Sequence, residues 1–153
     1  MYFMGVVLFS LFFLISCSAS GEVPKERNTT CEVFHYRKGV AEKVLRSEDM
    51  IAYEVENIFF GADDTYRLIV SDALLATIKK GEAVEVVYTK TRILKSAFLR
   101  REIEISRLIV PLESKFASSH ATVFYGNPDY GEFNVLVNKK DFPAIGRIKE
   151  LLK

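Results

Sequence analysis

Short runs that alternate apolar and polar residues, each closed by a turn signal, constrain this chain more than any other feature. Glu82-Ala83-Val84-Glu85-Val86-Val87-Tyr88-Thr89 is the clearest, with Val84, Val86 and Tyr88 on one face. A side-chain period of two belongs to a strand with two distinct faces. Glu102 to Val110 repeats the pattern, with Ile103, Ile105 and Ile109 in phase and Arg107 as the exception. Pro111 ends that run because it has no N–H to donate to a ladder. Glu32 to Arg37 is β-branched and aromatic, and Val40 to Leu45 fits either its hairpin partner or a short helical turn. Ile51 to Phe60 is expected as a strand, with Tyr53, Val55 and Phe59 on one side and Glu54, Glu56 and Ile58 on the other. The turn Gly61-Ala62-Asp63-Asp64 then returns it to Thr65–Val70 as a hairpin. His120 to Tyr125 and Glu132 to Val137 form a last hairpin about the turn signal Gly-Asn-Pro-Asp-Tyr-Gly at 126–131.

Two segments read as helices. Ser71 and Asp72 offer an N-cap to the run from Ala73 to Lys80, and Gly81 follows its last turn. Lys79 and Lys80 lie where the helix dipole favours cations. Near the C-terminus, Asp141 is expected as a cap, with Pro143 in the first turn. Phe142, Ile145, Ile148 and Leu152 make an apolar stripe, with Arg147, Lys149, Glu150 and Lys153 outside it. Short strands joined by tight turns do not build a parallel βαβ sheet. The expected class is therefore α+β, mostly β: a small antiparallel barrel or curved sheet with one short helix and a C-terminal helix. The stretch Leu74 to Tyr88, a helical turn followed by Lys-Lys-Gly-Glu-x-Val-x-Val, resembles the entry to a strand in OB and SH3-like barrels. That resemblance implies a barrel and no particular function.

The N-terminus constrains location. Residues 1–16 carry no charge, and Phe3 to Ile15 is apolar except for Gly5 and Ser10. Thirteen residues are too few to cross ~30 Å of hydrocarbon, which takes ~20. The run has the length of a signal-peptide core, although Met1-Tyr2 lacks the usual Lys or Arg. Leu14-Ile15-Ser16-Cys17 resembles the lipobox of bacterial lipoproteins. The resemblance implies cleavage before Cys17 and acyl chains on that cysteine, and two or more chains hold a protein stably on a bilayer. Ser18 after the cysteine is similar to the enterobacterial pattern that directs lipoproteins to the outer membrane, facing the periplasm. Two alternatives stay open: ordinary cleavage near Ser18-Ala19-Ser20, giving a secreted protein, and an uncleaved anchor. The expected organisation is a signal peptide (1–16), a lipidated cysteine and flexible tether (17–30), and one β-rich domain (31–153).

Chemistry-bearing patterns are sparse. With Cys17 acylated, Cys31 is the one thiol left, and without acylation a Cys17–Cys31 bridge is open. His35 and His120 lie in separate expected strands, with no His-x-x-x-His or Cys-x-x-Cys spacing. Asp63-Asp64 lacks the calcium-loop pattern and reads as a turn. No Gly-rich phosphate loop or Gly-x-Ser-x-Gly elbow occurs. No metal, cofactor or catalytic set is expected. The formal net charge is +1, but residues 22–88 carry −4 and residues 89–153 carry +5. That balance exerts no strong pull toward nucleic acid.

One segment departs from this balance. Lys90, Arg92, Lys95, Arg100 and Arg101 occur with no acid among them and with Phe98 between. The pairs Ile93/Ala97 and Leu94/Phe98 fit an amphipathic helical turn, and the same stretch fits a long hairpin tip. Cations beside exposed apolar groups suit an anionic partner: phospholipid headgroups, acidic polysaccharide or an acidic envelope protein. The acids of 48–64 (Glu48, Asp49, Glu54, Glu56, Asp63, Asp64) are the internal alternative. Tyr125 and Tyr130 flank the last turn, where tyrosines make rigid amphipathic contacts. The expected function is a lipid-anchored cell-envelope protein acting as a non-catalytic binding or scaffolding module. The alternative is a small secreted or envelope enzyme of the hydrolase type.

Overall fold

A computed structural model describes residues 31–113, 115–127 and 132–153. The leader, Cys17, the tether and Tyr130 lie outside the described residues. In chain order the elements are β1 (Cys31–Arg37), β2 (Val40–Lys43), α1 (Glu48–Phe60), α2 (Asp72–Lys80), β3 (Glu82–Ser96), β4 (Arg101–Pro111), a 3-10 turn (Lys115–Ala117), β5 (Ala121–Asn127), β6 (Glu132–Asn138) and α3 (Pro143–Leu151). The strands form one antiparallel sheet in the order β2-β1-β3-β4-β5-β6.

Period-two alternation gives this sheet two apolar faces, and helices cover both. Val33, Val84, Val86, Leu108, Val110 and Val123 pack with Ile51, Val55, Ile58 and Phe59 of α1 and with Ile145 and Ile148 of α3. Full burial of such a side chain contributes ~1.5–3 kcal/mol. On the other face Ala83, Ile109, Phe124 and Val135 meet Leu75 and Ile78 of α2 and Phe116 of the 3-10 turn. The expected short helix is α2: the Ser71 hydroxyl accepts from the Leu74 N–H at 3.2 Å. Its C-terminal end is tied to the β1–β2 turn, where the Lys38 and Gly39 amides donate to the Gly81 and Lys79 carbonyls, both at 3.1 Å. Those contacts satisfy acceptors that a helix end leaves open. They also hold Lys79 above the sheet.

Four expectations are corrected. The sheet is open, not a barrel: β2 and β6 are its edges. Asp64 and Val70 bridge to Val137 and Phe133 of β6, and that segment occupies the edge a closing strand would need. Ile51–Phe60 is not a strand but most of α1. Ile51, Ala52, Val55, Ile58 and Phe59 are buried, a spacing of 3.6, whereas Tyr53 points out at 47 % exposure. The described residues therefore hold three α-helices where two were expected. Thr65–Val70 is no hairpin strand but an extended connection with isolated bridges at its ends and Ile69 exposed. Finally, the Asp141 carboxylate does not cap α3. Its backbone carbonyl accepts from Ala144, while its side chain pairs with Arg147 at 2.7 Å.

Of the two forms open for 40–45 and 90–101, the sheet takes the hairpin in each. Val40–Lys43 pairs with β1. Lys90–Arg101 is the arm and tip of a β3–β4 hairpin, and β3 runs to Ser96 rather than stopping at Thr89.

Candidate functional site

Strand register brings three separate stretches to one end of the sheet. Cys31, where β1 begins, lies opposite Tyr88 of β3. Beyond that pair β3 continues to Ser96 with β4 as its ladder partner, so Thr89–Glu104 forms a two-stranded arm past the end of β1. Arg107 pairs with Gly126, and the Asn127–Glu132 pair of β5 and β6 lies at the same end. The two candidate segments of the sequence thus converge beside the point where the chain enters the sheet.

The arm owes its course to a bulge. Val87 opposes Arg107 and the next pair is Arg92 with Ile105, so β3 takes five steps where β4 takes two. Extra residues on one strand bend it and increase the local twist. The bend lays one side of the arm on the core: Leu94 and Ile105 are buried and Leu99 packs against them. Ile93, Lys95, Glu102 and Glu104 share the outer side. Ile93 is 64 % and Phe98 38 % exposed. At the tip the Ser96 hydroxyl accepts from the Leu99 N–H at 3.1 Å, and Arg100 takes φ 55, a left-handed conformation uncommon outside glycine.

The cations divide into three groups. Arg92 faces inward and pairs with Glu56 of α1, which also accepts a 2.7 Å hydrogen bond from the Tyr88 hydroxyl. Burial, then the Glu56 charge, pushes the Tyr88 phenol well above its usual range. One member of the internal alternative is therefore real. Arg101 reaches the Tyr125 hydroxyl; burial raises that phenol and the guanidinium opposes the rise. Arg101, Glu104, Tyr125, Asn127, Glu132 and Asn134 line a cleft of about 240 Å³ between the arm and the last hairpin. Lys90, Lys95 and Arg100 are exposed, and no carboxylate comes within ion-pair distance of them among the described residues. Register sets Glu102 directly across from Lys95, an acid that the linear stretch had concealed.

Gly126 permits the close approach of β5 and β6 at this end. A Cβ there would lie 2.5 Å from the Glu132 carbonyl oxygen and 2.8 Å from the Phe133 ring.

Sequence reasoning missed a cluster on the α2 face. Glu85, only 2 % exposed, accepts from Tyr36 at 2.7 Å and from Lys79 at 2.8 Å, with Arg107 at 3.3 Å. Arg107, the exception in its strand's alternation, is thus a cation for a buried carboxylate. The out-of-phase Arg and the Glu85 in an apolar run were the signals. Burial raises the Tyr36 phenol, reinforced by its bond to Glu85. His35 meets Glu82 at 3.0 Å, and Lys149 of α3 approaches the same carboxylate at 3.4 Å. Burial alone would raise Glu82, but His35 and Lys149 outweigh it and hold the carboxyl below its usual range. Asp63 and Asp64 do not form the expected turn: their backbone amides donate to the Val137 carbonyl of β6, and their carboxylates accept from the Lys139 and Thr65 amides. Among the described residues no three His, Cys, Asp or Glu side chains converge as metal ligands. No described helix is long and apolar enough to cross a membrane.

Comparison with protein-family models, with curated proteins and with solved structures finds no match to the chain.

Proposed function

We propose that this protein is a lipid-anchored, non-catalytic binding module of the bacterial cell envelope, held through Cys17 and making contact through the end of the sheet that bears the β3–β4 arm. The observation that carries the proposal is the convergence at that end. Cys31, which follows Cys17 by fourteen positions, begins β1 there. The arm with Lys90, Lys95, Phe98 and Arg100 leaves from the same level, and the hairpin with Tyr125 turns beside it. A protein tethered on that side holds these exposed cationic and aromatic groups toward whatever surrounds its anchor. The lipobox-like Leu14-Ile15-Ser16-Cys17, followed by Ser18, supports a location at the outer membrane, facing the periplasm.

Replacement of Cys17 by Ser tests the anchor. The variant is expected to leave the detergent phase on partitioning and to lack acyl mass, while the native chain stays in that phase. Unchanged partitioning and unchanged mass overturn the reading.

A further inference from the structure

We infer that the tip of the β3–β4 arm is a second membrane contact: Lys95, Phe98, Arg100 and Arg101 dock tip-first on anionic phospholipid headgroups of the bilayer that holds Cys17. The inference rests on the lipid-anchored reading and names what its contact end touches.

Direction is the first argument. The arm extends beyond the Cys31–Tyr88 pair, on the side from which the chain arrives from Cys17. Reach is the second. Thirteen residues separate Cys17 from Cys31; such a stretch spans at most ~45 Å, and a random coil of that length averages ~20 Å. Thr89–Ser96, the part of β3 that runs past the end of β1, extends up to ~27 Å. The two lengths are commensurate, so acyl chains on Cys17 and the arm's tip reach one plane.

Chemistry is the third argument. Leu94 and Leu99 turn back onto the core, and Phe98 is left as the exposed aromatic group at the tip. Lys95, Arg100 and Arg101 are exposed around it. Glu102 faces Lys95 across the arm and Glu104 lies further back along β4, so approach by the tip brings three cations and one ring to the surface against the single acid Glu102, and the tip keeps a net positive charge. Aromatic groups settle at the headgroup level, and each Lys or Arg near an anionic leaflet strengthens the contact. An acidic polysaccharide would meet the cations but give Phe98 no apolar layer to enter.

The chain has no tryptophan, so Phe98→Trp is a unique reporter. The lipidated variant is reconstituted in vesicles of phosphatidylcholine alone and of phosphatidylcholine with an equal part of phosphatidylglycerol. Docking predicts blue-shifted emission, protection from iodide and quenching by brominated acyl chains only where phosphatidylglycerol is present. Each replacement by Ser at Lys95, Arg100 or Arg101 is expected to lower the docking equilibrium about fivefold. Val40→Trp, at the opposite end of the sheet, stays open to iodide in both vesicles. Equal iodide quenching at position 98 in the two vesicles, or protection by an acidic polysaccharide in their place, overturns the inference. Failure of the protein to float with vesicles overturns the anchor instead. The reporter read against excess anionic vesicles then still decides the tip.

Discussion

Arg92 in the arm and Glu56 in α1 are ion-paired, and the Arg92 guanidinium also lies 5.1 Å from the centre of the Tyr88 ring. The pair joins a buried carboxylate to a half-exposed cation across two elements distant in sequence. It clamps the root of the arm to the helix that covers the sheet.

Arg92→Ala is expected to cost about 1–2 kcal/mol, because it leaves Glu56 buried with Tyr88 as its remaining partner. That is less than the loss from breaking a fully desolvated pair, since solvent reaches the Arg92 side. Urea unfolding should show a lower midpoint at unchanged slope. Amides of the Arg92–Ile105 ladder should exchange faster than those of β1.

The Glu85 cluster predicts an order of effects. Lys79 holds Glu85 at 2.8 Å and is less exposed than Arg107, whose contact is 3.3 Å. Lys79→Ala is expected to destabilise by about 2 kcal/mol and Arg107→Ala by about 1. The double variant should lose more than the sum, because only then is the buried carboxylate without a cation. Equal single effects, or strict additivity in denaturant titrations, would contradict a shared role.

Cys31 gives a pH dependence with a definite sign. Burial, reinforced by Asp49, Glu56 and Glu48, raises its thiol from 9.0 to about 11. The folded protein therefore binds this proton more tightly than the unfolded chain. The corresponding stability is fully present below pH 9.0 and is lost as pH rises toward about 11. Cys31→Ala should flatten the fall of the melting temperature across that window. Iodoacetamide at pH 8 should label the native thiol slowly and the urea-unfolded thiol fast.

How much was legible depended on the range of the signal. The two-turn helix α2 was readable because Ser71 and the apolar positions after it act within one another's reach, although Gly81 ends it at φ −83 and not in the positive-φ cap expected of a glycine there. The strands at 82–89, 102–110 and 132–137 were readable because a period of two is local. Ile51–Phe60 was not, because ten residues rich in Val, Ile and Phe satisfy a period of two and a period of 3.6 alike. A sheet face needing cover decided for the helix, since only that form buries Ile51, Val55, Ile58 and Phe59 together. The cationic run was visible, but Glu56, which takes Arg92 from it, and Tyr125, whose hydroxyl the still-exposed Arg101 reaches, come from other elements.

By itself, then, the sequence determined the alternating strands and the capped short helix. Neighbouring residues settle such features through backbone preference and side-chain period. Tertiary structure decided that the sheet stays open and that the 51–60 segment coils. It also decided which cations remain unpaired, and that the chain's entry, the arm and the last hairpin share one end. Those outcomes depend on strand register and on which apolar face is left to cover, and both arise only when segments far apart in the chain compete for the same partners.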